Sequence, residues 1–566
     1  MAPISKRKRL HWGLGFLFLF IAGVSAIIMA TMLIRVQCVA PHYANAAVAA
    51  DTLTCSQIGR DVLKSGGSAV DAAIAALVCT SVLNPQSMGL AGGVILTVYN
   101  ATTGKVEVIN ARERAPQNIP ENLLDQCREG LMLGPKWIAV PGELRGYETA
   151  HRRHGKLPWK ALFEPTIAVL RHGVRIPEVL GRFLKHPLLQ RALEQSSLRK
   201  LFSDVKGNLL GTGDLLHWTA LEETLRAVAE NGADEFYAGK TAEKLAQDVS
   251  GEGGNLTLED LHGYRVSVKS ATKSEIGDYD IYSAPRPAAG PILFFILNVL
   301  KGFNFTKDSV STIERKAEAY HYIAEALKFA NGQKAKVDDP DFSKNGEDVI
   351  NHLVSDSFAA TIWRRIDSRG DHSAAHYEIA QARWSPYGTS HVAVLAQDGS
   401  AVSATSTINQ PFGSMVYSQQ TGLILNNEMA DFCMKRSDRK VYPGEMPPSS
   451  MTPSILISRD GASKLVIGGS GGTLITPAVA LAIVNKLWFG YDLEGAIQAP
   501  ILYATKTGSL EVEPNFDQEI MAALHRRGHA IKTAAYPLNV VQGVAKDGPC
   551  VFPYSDQRKN GKASGY

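Results

Sequence analysis

Gly388-Thr389-Ser390-His391-Val392-Ala393-Val394-Leu395-Ala396-Gln397-Asp398-Gly399, continued by Ser400 to Ile408 (SAVSATSTI), is the stretch on which the fold turns. Residues 391 to 396 (HVAVLA) are a strand-like run that alternates only loosely. Asp398-Gly399 is a pair favoured in a tight primed turn, and 400 to 408 reads as the returning strand. Thr389 therefore opens a hairpin. A threonine hydroxyl inside a chain is a poor nucleophile, but on the first residue of a chain it has its own free amine beside it as general base. That chemistry requires a cut between Gly388 and Thr389. A hairpin alone is equally an ordinary strand end, so the downstream text carries the weight.

Residues 424 to 432 (Ile-Leu-Asn-Asn-Glu-Met-Ala-Asp-Phe) place Glu428 and Asp431 just beyond an apolar strand, three apart, as in a turn that points two acids at one ligand. Such a pair suits an ammonium group, with charge-assisted hydrogen bonds of roughly 1.5–3 kcal/mol each when shielded from water. The plain alternative is a solvated turn. Residues 464 to 473 (KLVIGGSGGT) read as a strand ending at Val466-Ile467, then a glycine run, with Thr476 as N-cap and Pro477 at the first helical position. Glycines leave backbone N–H groups uncovered, as an oxyanion needs, and losing one such donor costs about 2.7–4 kcal/mol. A nucleotide loop would need Gly-Lys-Ser/Thr, which is absent. Residues 447 to 453 (PPSSMTP) offer Ser449 and Ser450 between prolines. Further upstream, strands at 94 to 99 and 106 to 110 flank a turn at Thr103-Gly104, and the second runs into Arg112, whose planar fork could grip a carboxylate.

Taken together, GTSH at 388 to 391, AVSATSTIN at 401 to 409, NNEMADF at 426 to 432, PPSSM at 447 to 451, GGSGGT at 468 to 473 and NARE at 110 to 113 resemble the gamma-glutamyltransferases, specifically the membrane-bound animal type. The resemblance extends from about Thr54 to Tyr566 and includes NKLWFGYDLEGAI at 485 to 497 and the terminal SDQRKNGKASGY. It implies an α/β fold, the four-layer αββα sandwich of N-terminal-nucleophile hydrolases, self-processed into a large subunit (54–388) and a small subunit (389–566). It also implies transfer of a γ-glutamyl group from glutathione or its conjugates to water, an amino acid or a dipeptide, without a cofactor or metal. Carried over by position, the cut falls between Gly388 and Thr389, Thr389 is the nucleophile, Thr407 supports its hydroxyl, and Gly471 and Gly472 form the oxyanion hole. Arg112, Ser449 and Ser450 hold the donor's α-carboxylate, and Asn409, Glu428 and Asp431 its α-amine. Cys55 and Cys79 correspond to a bridged pair of the family. Departures are Gln86 and Ala91, where the family has His and Gly, and a short segment between Phe432 and Pro447; one extra methyl at a close backbone approach could disturb it. They motivate a second reading, a non-catalytic membrane-tethered ectodomain that serves as a binding or structural partner.

A chain of 566 residues with 45% hydrophobic content can bury a large core. Its first residues differ from the rest. Lys6-Arg7-Lys8-Arg9 precedes an uncharged apolar run from Trp12 to Ile34, long enough to span a bilayer and without a clear small-x-small cleavage site. The expected layout is a cytoplasmic tail (1–11), a signal-anchor helix (12–34), a stalk (35–53) and an extracellular catalytic part, in type II orientation at the cell membrane. Residues 1 to 38 carry five of the positive charges behind the net +4, which leaves the remainder near −1 and argues against a nucleic-acid partner. Six cysteines are sparse for this length, so the fold should rest on its core; the pairing of Cys38, Cys127, Cys433 and Cys550 stays open. No CxxC or HExxH suggests a metal. Asn255-Leu-Thr257 and Asn304-Phe-Thr306 are glycosylation acceptors outside the cytosol. Ser68 to Asp71 reads as a capping box before a small-residue helix, and 120 to 385 as mostly helical.

Overall fold

The computed structural model describes Gly23 and residues 38–39, 41–343, 346–379, 388–434, 440–535 and 540–566. Two antiparallel sheets lie face to face. One has seven strands in the order Ser564–Gly565, Ala47–Ala49, Ser390–Leu395, Ala401–Thr407, Gly93–Asn100, Lys105–Ala111 and Ser267–Ser270. The other has six, in the order Cys550–Ser555, Val540–Asp547, Lys464–Ser470, Ser454–Ser458, Tyr279–Ser283 and Thr272–Ile276. Between them Ala47, Ala49, Ala393, Leu395 and Ala401 of the first sheet meet Ile455, Val466, Val544 and Val551 of the second in one buried cluster. Alanines on one side and branched side chains on the other let the layers interdigitate at sheet-packing distance.

The loose alternation of HVAVLA has its reason here. Ala393 and Leu395 face the partner sheet, while Val392 and Val394 belong to the core under the helices, so both faces of the strand are buried. Helix Ala69–Leu83 packs on the strands Ser390–Leu395 and Ala401–Thr407. It is capped by Ser68 and Asp71 in the expected box and all its residues are buried. Its alanines permit the close approach that puts apolar side chains on every face of the helix in contact with protein. On the far side, helix Ile475–Leu487 packs on Lys464–Ser470 and Val540–Asp547, and helix Gly290–Lys301 on Thr272–Ile276. Helix, sheet, sheet, helix is the expected αββα order.

Several expectations are corrected in detail. The hairpin loop is not a two-residue primed turn. Ala396 N donates to Ser400 O (2.9 Å) and Gly399 N to Ala396 O (3.0 Å), which leaves a three-residue loop. A primed turn of type I′ needs positive φ at both central residues, and here only Gly399 (φ 84°) has it. The glycine strand runs on through Gly468, Gly469 and Ser470 instead of ending at Ile467. The following helix begins at Ile475 with Leu474 at the N-cap, so Thr476 and Pro477 lie inside the first turn. Thr476 Oγ1 donates instead to Ser450 O at 3.0 Å. Finally, 120 to 385 contributes strands as well as helices. Ser267–Ser270 and Thr272–Ile276, separated by Ala271 alone, are the edges of the two sheets. Their exposed Lys and Ser positions conceal the strand pattern, as edge strands often do.

All six cysteines are paired: Cys55–Cys79 as the resemblance implies, and also Cys38–Cys550 and Cys127–Cys433. The anchor expected at 12–34 lies, apart from Gly23, outside the described residues. Among the described residues no helix is long and apolar enough to cross a membrane.

Candidate active site

Gly388 and Thr389 both have positive φ, 108° and 78°. Gly388 can only be glycine, since a Cβ there would stand 1.6 Å from Asn409 O. The hairpin brings its two ends together: Thr389 Oγ1 is 3.0 Å from Thr407 Oγ1, which in turn accepts Asn409 N at 2.8 Å. Both threonines are buried. Thr389 N donates to Ser87 O at 2.9 Å. Gly92 keeps the opposite wall close, because a Cβ there would fall 2.0 Å from Thr407 O.

A lysine from the far end of the chain closes the back of this site. Lys559 Nζ donates to Thr389 O (2.7 Å), Ser470 Oγ (3.2 Å) and Asp51 Oδ2 (3.0 Å). Asp51 is fully buried among donors, taking Ser390 Oγ at 2.6 Å, Asn84 Nδ2 at 3.0 Å and Gln542 Nε2 at 2.6 Å. Ser470 leads directly into Gly471 and Gly472, whose φ values of 128° and 57° belong to the region that favours glycine. The lysine thus ties the start of the glycine turn to the carbonyl of Thr389.

On the other side, Asn409 (φ 72°) bridges the hairpin to the acidic turn: its Nδ2 donates to Asp431 Oδ1 at 3.1 Å. Asp431 Oδ2 accepts Arg112 Nη2 at 2.7 Å, and Glu428 Oε1 lies 2.5 Å from Arg112 Nη1. Arg112 also donates to the carbonyls of Pro447 (3.3 Å) and Pro448 (2.9 Å), which sets Ser449 beside it. Ser449 Oγ accepts Met451 N at 3.1 Å. Nucleophile, amide, acids, guanidinium and serine turn therefore form one connected chain.

The charges do not balance. Burial acts to lower Arg112, yet Glu428, Asp431 and Glu113 outweigh it and hold the guanidinium firmly charged. Three carboxyls surround that one cation, with Glu113 at 3.8 Å and both its oxygens lacking a hydrogen-bond partner. Burial raises all three, Glu113 to about 7, against the pull of Arg112. A pocket with surplus buried acid asks for protons or for a second cation. The Arg112 fork already holds protein carboxylates, and Arg112 is only 1% exposed, so an incoming carboxylate must compete with Asp431.

The departure at 91 is absorbed, whereas the one at 86 leaves a buried amide unsatisfied. Ala91 packs in the main core and has no positive φ, while its carbonyl accepts Asn426 Nδ2 at 2.8 Å. The Gln86 side chain is buried without a hydrogen-bond partner, and its carbonyl accepts Phe412 N at 3.1 Å. Asp51, Ser87, Ser470 and Lys559 are members of the site that the sequence did not announce. Ser470 stood inside the GGSGGT run and Lys559 inside the terminal KNGK text, but neither shows this role until the chain's end is folded back onto Thr389.

Residues 55–566 match the family model described as Gamma-glutamyltranspeptidase. The chain is 51% identical over 555 residues to "Glutathione hydrolase 5 proenzyme" of Rattus norvegicus, covering 96% of this chain and 97% of that protein. It is 50% identical to the Homo sapiens protein of the same name, covering 95% and 96%, and 38% identical to "Scoloptoxin SSD14" of Scolopendra dehaani, covering 92% of each. Among solved structures, cephalosporin acylase from Bacillus halodurans superposes with a TM-score of 0.82 at 25% identity, covering 93% of this chain and 96% of that one. The family model over residues 55–566 and the relatives agree: this chain belongs to the gamma-glutamyltranspeptidase family.

Proposed function

We propose that the protein is a γ-glutamyltransferase and glutathione hydrolase, made as one precursor and activated by its own scission at Gly388/Thr389. The observation that carries this reading is the buried Thr389 hydroxyl, 3.0 Å from that of Thr407 and preceded by a residue that must be glycine. In the precursor the Thr389 oxygen attacks the Gly388 carbonyl; the amide becomes an ester, and water releases the small subunit 389–566 from the large subunit 54–388. The new amine stays where the amide was, opposite Ser87 O, placed to act as base for its own hydroxyl.

In the mature enzyme the donor's γ-carbonyl carbon is attacked by Thr389 Oγ1, whose proton passes to that amine. Thr407 orients the hydroxyl, and the amides of Gly471 and Gly472 meet the oxyanion. The tetrahedral species expels the amine of the cysteinylglycine part, which takes the proton, and leaves a γ-glutamyl ester on Thr389. Water, an amino acid or a dipeptide then accepts the acyl group. The donor's α-ammonium supplies the missing cation to Glu428, Asp431 and Asn409. Its α-carboxylate takes over Arg112 from Asp431, assisted by Ser449 and Ser450. One internal ion pair is exchanged for two with the ligand, which favours zwitterionic donors.

The same reading places residues 1–11 in the cytosol and 12–34 in the membrane, with 35–53 as a stalk and the enzyme on the outer face. Asn255 and Asn304, both exposed, are its glycosylation sites. The test is at Thr389. Thr389→Ala should leave a folded, uncut chain without γ-glutamyl release, whereas Thr389→Ser keeps the oxygen and should retain part of both activities. Two subunits and product from the alanine variant would exclude Thr389 as nucleophile.

A further inference from the structure

The turn that carries Glu428 and Asp431 is not held by a main core. The 3₁₀ helix Glu428–Met434 packs into a small separate cluster with Leu123, Met132 and Trp137, which come from the connection between strand Lys105–Ala111 and helix Glu143–His154. Amide bonds lock the two segments at one end: Asn426 Oδ1 accepts Ala139 N at 3.0 Å, and Asn427 Nδ2 donates to Met132 O at 2.8 Å. At the other end the clasp is covalent, Cys127–Cys433, two residues beyond Asp431. Both cysteines are half-buried at the edge of that cluster.

We infer that Cys127 and Cys433 are positioning residues for the donor site, and that their bond is also a covalent link between the two subunits. The inference rests on the proposed cut at Gly388/Thr389, because Cys127 lies before it and Cys433 after it. Without the bond, only the small cluster and the Asn426 and Asn427 hydrogen bonds hold Asp431 against Arg112 and Asn409, 2.7 and 3.1 Å away. A looser turn weakens the hold on the donor's ammonium while the nucleophile, set in the central sheet, keeps its geometry. Cys38–Cys550 spans the same cut but joins the chain's beginning to the edge strand Cys550–Ser555, so it links the subunits without touching the site. Cys55–Cys79 lies wholly within the large subunit.

The experiment uses the full, membrane-extracted protein and its Cys→Ser pairs, read on denaturing gels with and without dithiothreitol and by initial rates with a γ-glutamyl anilide donor. With reductant, the parent should give two polypeptides; without it, one species of full mass. The Cys38→Ser/Cys550→Ser protein should still run as one species without reductant and keep the parent's KM. The Cys127→Ser/Cys433→Ser protein should still be cut, with KM raised about tenfold and kcat within about twofold. If that pair does not fold, mild reduction of the parent, reversed by reoxidation, should give the same KM shift, since Cys55–Cys79 is buried from the reductant. Two species from the Cys38→Ser/Cys550→Ser protein without reductant, or an unchanged KM in the Cys127→Ser/Cys433→Ser protein, would overturn the inference. A single species with reductant would instead refute the cut itself, and the KM comparison would still decide the positioning role.

Discussion

Arg112 shows how one side chain sets the demands of a site. Its guanidinium is nearly inaccessible, holds Asp431 and Glu428, and leaves Glu113 unsatisfied, so the pocket has one fixed cation for three acids. Asp431→Ala removes the acid that faces both Arg112 and Asn409. KM for the donor should rise about thirtyfold or more, in line with the roughly 2–5 kcal/mol cost of unpairing a buried charge, while kcat changes less and subunit cleavage persists. Unchanged donor kinetics would take Asp431 out of the site. The residue types of this pocket were legible in the sequence, as a cation after a strand and two acids in a turn. Their mutual pairing was not, because Arg112 and Asp431 stand 319 residues apart and only the folded chain decides whether a guanidinium greets a ligand or a neighbour.

Helix Glu143–His154 reaches the hairpin through its first residue. Glu143 accepts Ser406 Oγ at 2.8 Å, the residue before Thr407, and also the Tyr147 hydroxyl, while its other oxygen is buried without a partner. Burial pushes this carboxyl up to about 8, so it holds its proton at neutral pH. A folded value above the ordinary 4.5 means stability fully present below 4.5 and lost as pH rises through 8. Glu143→Gln keeps the hydrogen-bonding shape without that loss. Urea unfolding of parent and variant should therefore diverge in the variant's favour between pH 5 and 8, at up to about 1.4 kcal/mol per pH unit. A difference that does not vary with pH would refute the assignment. At this scale, elements with strong local signals were readable: the Ser68 capping box and the two hairpins. An element whose pattern serves an edge, such as Ser267–Ser270, was not, since it lacks the alternation of a half-exposed strand, and the strand at 464 was read only as far as Ile467 because Gly468 and Gly469 carry no side chain to show the period.

Across the whole molecule, the site gathers residues from both ends and the middle of the chain: Asp51, Thr389 and Lys559 meet through one ammonium group. Lys559→Met keeps the stem but leaves Asp51 buried without its cation and Thr389 O without its donor. Precursor cleavage should slow at least tenfold although the protein still unfolds cooperatively; cleavage at the parent's rate would sink this role. The layered architecture could be expected from the resemblance, whereas this convergence has no local trace in composition or period. Thr389 itself carries a last consequence. A β-branched residue at φ 78° occupies backbone territory that normally costs about 1–3 kcal/mol. That torsion exists only while Gly388 is attached. On the proposed reading, scission does not merely release an amine but abolishes the contorted angle altogether, so rejoining the ends would have to wind it up again. Restoring that angle adds its cost to the reverse step and so favours the cut form.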